Sequence, residues 1–106
     1  EGWEEETDAR RGKGIYRRVM EAMDRLQEAG AFFGFSATAT RNNADVYIQD
    51  EFYDFMIEKG CMFGWFFIFV PVGQDNAMNL MITPEQRNRL RRKSMEIRRK
   101  KPIFVA

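Results

Sequence analysis

Gly60-Cys61-Met62-Phe63-Gly64-Trp65-Phe66-Phe67-Ile68-Phe69-Val70-Pro71-Val72-Gly73 is the stretch that decides the fold. A Gly followed at once by an apolar run without polar alternation marks a helix end feeding a parallel strand covered on both faces. Pro71 and Gly73 close the run, which predicts a strand over about 61–72. On its N-terminal side, Phe52, Phe55 and Met56 stand at helical spacing behind Asp50, a candidate N-cap, and predict a helix over about 50–59.

The same helix-Gly-strand phrase occurs earlier. Ile15, Val19, Met23 and Leu26 recur at steps of three and four and predict a helix over about 14–29, which Gly30 stops. The uncharged, aromatic and β-branched segment over about 31–40 then reads as a buried strand closed by the turn residues Arg41-Asn42-Asn43. A third round begins at Thr83-Pro84-Glu85-Gln86, a capping box with Pro at the first helical position. Its helix, over about 83–100, carries a thin apolar stripe of Leu90, Met95 and Ile97, and Lys101-Pro102 leads into a strand over about 102–106.

The order αβαβαβ implies an α/β fold with a parallel sheet of about three strands in sequence order, because a parallel pair needs a helix-length return path. Residues 1–106 fit a single domain. Three open parallel strands leave two edges and a large aromatic surface, which a TIM-like (β/α) barrel would bury, so the chain reads as a partial barrel. Its start at Glu1 and its finish in an apolar run lead to the expectation of an internal fragment of a longer protein. The open edges offer a route to homo-association.

Composition narrows the chemistry. Seventeen basic and sixteen acidic residues give a net charge of +1, which names no partner. The charges are nevertheless segregated, with five carboxylates in the first eight residues and nine basic residues over 87–101. With no His and Cys61 alone, the chain cannot build a His/Cys zinc site, an iron–sulfur cluster, a Ser-His-Asp triad or an internal disulfide. Residues 65–72 fall far short of the roughly 20 needed to span a bilayer, so a cytoplasmic setting without membrane contact is expected. The acidic run Glu4-Glu5-Glu6 reads as solvated charge in a loop rather than a metal site.

Glu1-Gly2, then Asp8-Ala9-Arg10-Arg11-Gly12, an amphipathic helix, Glu28-Ala29-Gly30 and a polar-ended strand together resemble the middle of radical S-adenosylmethionine enzymes. Phe35-Ser36-Ala37-Thr38-Ala39-Thr40-Arg41-Asn42-Asn43 resembles that family's fourth barrel strand. Trp65 to Gly73, with Val70-Pro71-Val72-Gly73-Gln74-Asp75 and then Leu80 to Arg87, resembles the fifth strand and the following loop in a subgroup with a C-terminal cysteine-rich extension. The resemblance implies an iron–sulfur oxidoreductase using S-adenosylmethionine and a 4Fe-4S cluster. It implies cofactor contacts from Ser36, Thr38, Thr40, Arg41, Pro71, Gly73 and Glu1, with Arg41 pairing the cofactor carboxylate. The family's Cys-x3-Cys-x2-Cys loop is absent, so this chain would supply barrel wall and part of the cofactor cleft, bind no cluster, hold no catalytic residue and be inactive alone. Its partner would be the remainder of the barrel, acting on the parent's substrate.

Ser36 and the Trp65 to Phe69 run also read as core. The alternative is a non-catalytic α/β binding module whose basic helix contacts an acidic partner or, less favoured, nucleic acid.

Overall fold

The computed structural model describes residues 2–69 and 80–106. Among these the chain runs α1 (Glu4–Arg11), α2 (Ile15–Glu28), β1 (Gly34–Ala39), α3 (Ala44–Tyr47), α4 (Asp50–Glu58), β2 (Phe63–Ile68), α5 (Pro84–Lys100) and β3 (Phe104–Val105). The three strands form one parallel sheet in the order β1-β2-β3, so the mixed α/β class and the sequential parallel order are as expected. No helix among the described residues is long and apolar enough to cross a membrane.

The repeated phrase is built twice in the same way. Beyond α2, Gly30 has φ +70° and donates its N–H to Gln27, while Ala31 donates to Leu26. Beyond α4, Gly60 has φ +100° and donates to Ile57, while Cys61 donates to Met56. Both are Schellman ends, in which a left-handed residue turns the chain out of the helix while its last carbonyls remain bonded. The two ends lie together: the Gln27 amide donates to the Glu58 carbonyl at 3.2 Å, and Lys59 Nζ pairs with Asp24 at 3.0 Å. On its other flank α4 meets α5 through Lys93–Asp50 at 2.5 Å and Lys101–Asp54 at 2.6 Å.

The helices cover one face of the sheet. Phe35, Ala37, Ala39 and Val105 point into a core completed by Met23, Tyr47, Phe52, Tyr53, Met56, Leu90 and Ile97. Its centre is aromatic, with Tyr47 4.7 Å from Phe66 and 4.9 Å from Phe52, and Phe35 edge-on to Phe52 at 5.3 Å. Burying such rings contributes about 2–3 kcal/mol each. The Tyr53 hydroxyl, which burial makes a weaker acid, donates to the Tyr47 carbonyl.

Several expectations need correcting. The acidic run is not a loop but the first turn of α1, where carboxylates meet the positive end of the helix. Asp8, near the end of α1, accepts the N–H groups of Gly14 at 3.1 Å and Tyr16 at 3.0 Å, capping α2 in place of a side chain on Gly14. The Tyr16 and then the Gly14 amide hold the Asp8 carboxyl below the ordinary value. The N-cap of α4 is Gln49, with Asp50 already helical, and the short α3 was not foreseen. Met95 is exposed, its place on the buried stripe of α5 taken by Ser94. Of the α2 stripe only Met23 is buried, while Val19 and Leu26 remain open to solvent.

The largest correction concerns burial of the sheet. β1 alternates, burying Phe35, Ala37 and Ala39 while Ser36 is exposed and Thr38 half-buried. Ser36 is therefore not core. Opposite the helices, Trp65 is 45% exposed, Phe67 57% and Phe104 57%. The expectation of strands covered on both faces thus holds on the helix side only.

Candidate functional site

Two regions of the sheet place polar groups where a ligand could meet them: its open face and the C-terminal end of β1. On the open face the register sets Gly34 beside Phe63, Ser36 beside Trp65 and Thr38 beside Phe67. Each hydroxyl thus stands next to an exposed ring, a pairing that only strict alternation produces. A Cβ on Gly34 would lie 2.3 Å from the Phe63 carbonyl oxygen and 2.5 Å from its ring, so that ring occupies the missing side chain's place. On the helix face the relation is reversed, and a Cβ on Gly64 would fall 2.2 Å from the Phe35 ring.

The end of β1 is held by Asn43, a buried side chain that closes the turn. Its Oδ1 accepts the Thr40 N–H at 2.7 Å, and its Nδ2 donates to the Thr38 carbonyl at 2.9 Å. Thr40 is itself buried. Arg41 is tied to the chain preceding α5: its N–H donates to the Leu80 carbonyl at 2.9 Å and its Nε to the Met81 carbonyl at 3.1 Å. The capping box of α5 completes the junction. Gln86 accepts the Thr83 N–H through Oε1 at 3.0 Å and donates through Nε2 to the Arg41 carbonyl at 3.0 Å, while Thr83 Oγ1 accepts the Gln86 N–H.

Beside this turn lies a cleft of about 520 Å³ lined by Glu5, Glu6, Ala9, Arg10, Thr40, Asn42, Asn43 and Leu80. Glu6 buries its Oε2 atom there without a hydrogen-bond donor among the described residues. A buried carboxylate oxygen in that condition retains the capacity to accept a bond from a ligand hydroxyl or ammonium.

The expected contacts therefore divide. Ser36 and Thr38 share the open face, Thr40 is enclosed at the strand end, and Arg41 donates through its Nε to the Met81 carbonyl. Glu1, Pro71 and Gly73 lie outside the described residues. Sequence reasoning missed Asn43 and Gln86 as organisers of the site. The Asn-Asn turn was a signal for the first, and the capping box placed the second without revealing its further bond to Arg41. Ser36 and Thr38 supply the hydroxyl donors a ribose would meet, whereas the described residues supply no ligand set for an iron–sulfur cluster. Cys61, at the other end of β2, is buried, and that burial pushes its thiol up to about 11. No group of three or more His, Cys, Asp or Glu is placed to hold a metal ion among the described residues. No family model matches the chain, and no curated protein or solved structure shows significant similarity to it.

Proposed function

We propose that the chain forms part of the wall of a radical S-adenosylmethionine iron–sulfur oxidoreductase barrel and that its open sheet face lines the cofactor cleft. The observation that carries this reading is the bare face itself. Parallel sheets are stable when both faces are covered, and in a (β/α) barrel the second face is covered by the barrel's own interior. Among the described residues α2 to α5 supply the core on one face of the sheet, and the other face presents Ser36, Thr38, Trp65 and Phe67. Rings beside hydroxyls suit a nucleoside, whose base stacks and whose ribose forms hydrogen bonds. The choice of S-adenosylmethionine rests on the motif resemblance. S-adenosylmethionine, reduced at its sulfonium by a cluster bound elsewhere in the barrel, would supply the radical chemistry. The residues of this chain would orient the cofactor and exclude water.

The reading frame on the 5′ side of the Glu1 codon tests the proposal. An open frame encoding Cys-x3-Cys-x2-Cys about one hundred residues upstream, roughly three βα units, is the expected result. A frame without that triple would overturn it. In the protein so encoded, Thr38→Val should weaken S-adenosylmethionine binding measured by equilibrium dialysis, and unchanged affinity would remove Thr38 from the site.

A further inference from the structure

We propose, resting on the cofactor reading above, that Asn43 is a positioning residue for the cleft: its carboxamide stands in for a neighbouring strand at the end of β1 and thereby fixes the direction of the Thr38 hydroxyl. Asn43 is not among the contacts that the motif resemblance implies.

Asn43 occupies the N-cap of α3, where an Asn side chain ordinarily accepts an N–H from the first turn of its own helix. It makes no such bond and is turned back onto β1 instead. Its Oδ1 accepts the Thr40 N–H at 2.7 Å and its Nδ2 donates to the Thr38 carbonyl at 2.9 Å, so the amide bridges the two residues that flank Ala39. The Ala39 carbonyl accepts the Phe69 N–H, on the side of β2. Because the backbone groups of successive strand residues point to opposite edges, those of Thr38 and Thr40 lie on the other edge. A residue of an adjacent parallel strand set opposite Ala39 would engage the same pair, giving its N–H to Thr38 and receiving one from Thr40. One side chain thus does here what a strand would do. At 3% exposure Asn43 is closed off from solvent, which cannot supply these bonds in its place.

The bridge keeps β1 extended to its last residue on both edges. An extended backbone sends the Thr38 side chain to the open face, beside Phe67. Without the amide, the Thr40 N–H and the Thr38 carbonyl would have to find other partners, and the strand end would turn to reach them. The Thr38 hydroxyl would turn with it. Asn43 therefore acts on the ligand through Thr38 and makes no contact of its own.

The test is a double-mutant cycle on S-adenosylmethionine affinity, measured by equilibrium dialysis in the protein encoded by the extended reading frame. Asn43→Ala should weaken binding about twofold to tenfold, the contribution of one hydrogen bond. In a Thr38→Val background the same substitution should cause no further loss, because the hydroxyl it positions is already gone. Asn43→Asp keeps the acceptor for Thr40 but loses the donor to Thr38, so it should weaken binding in the same way while disturbing the fold less. Circular dichroism at the dialysis temperature identifies the folded variants. Losses that add in the double variant, or unchanged affinity in a folded variant at position 43, would overturn the proposal and leave the cofactor reading standing. A wild-type protein that binds no S-adenosylmethionine would overturn both.

Discussion

At Gly34 and Gly64 two absent side chains set the pairing of β1 with β2, each leaving room for the Phe ring of the other strand. Gly34→Ala would bring its Cβ against the Phe63 backbone, which cannot swing aside, whereas Gly64→Ala would meet a ring that can turn at a cost in core packing. Both should destabilise the protein, by about 1–3 kcal/mol or more, with Gly34→Ala the worse; urea unfolding checks the order. Cys61 provides a second expectation at this scale. Its thiol, buried and pushed up to about 11, should react slowly with a thiol reagent at pH 8 and rapidly once urea unfolds the chain. Fast labelling of the native protein would contradict its enclosed position at the start of β2.

Among the elements, the junction of β1, α3 and α5 concentrates polar bonds on a few side chains. Asn43→Ala would leave the Thr40 N–H without its acceptor in a buried turn, a loss of about 1–3 kcal/mol in thermal or urea unfolding. Thr83→Ala should cost about 1 kcal/mol through the lost cap. The ion pairs between α4 and α5 set a pH window. Lys93 holds the Asp50 carboxyl below its usual 3.8, so that contribution is present above pH 3.8 and is lost as pH falls through the lower folded value. Asp50 and Asp54 raise Lys93 and Lys101 above 10.5, so theirs is present below pH 10.5 and is lost as pH rises through the higher folded values. Thermal unfolding should therefore be flattest between these limits, with the alkaline arm reduced in Asp50→Asn.

What could be read in advance follows from the range of each interaction. The Gly ends of α2 and α4 and the Thr83 box are local and appeared within a residue or two of their expected places. The helix of the acidic segment was missed because its cap to the next element, Asp8 on Gly14 and Tyr16, spans a bend. The open sheet face was missed because an unbroken apolar run conceals which side of the strand is covered, and the bonds of Arg41 to the chain before α5 could not be read locally because those partners lie near residue 80.

For the molecule as a whole, the bare face should govern association more than stability. Phe32, Phe67 and Phe104 are 76%, 57% and 57% exposed, so their joint replacement by Thr should change unfolding free energy little while lowering any concentration-dependent association in sedimentation velocity. An unchanged association constant would move the sticky surface elsewhere. The paired ends of α2 and α4 have a consequence for the protein's electric field. Their terminal carbonyls gather together at the edge of the sheet where β1 and β2 begin, while α5 starts at the far edge beside Arg41. Each helix contributes roughly half an elementary charge at either end, so the peptide dipoles reinforce one another along the strand direction. The end of β1 that carries Thr40 and Asn43 thus faces the positive end of the α5 dipole, a backbone polarity that the carboxylates of Glu5 and Glu6 beside it complement.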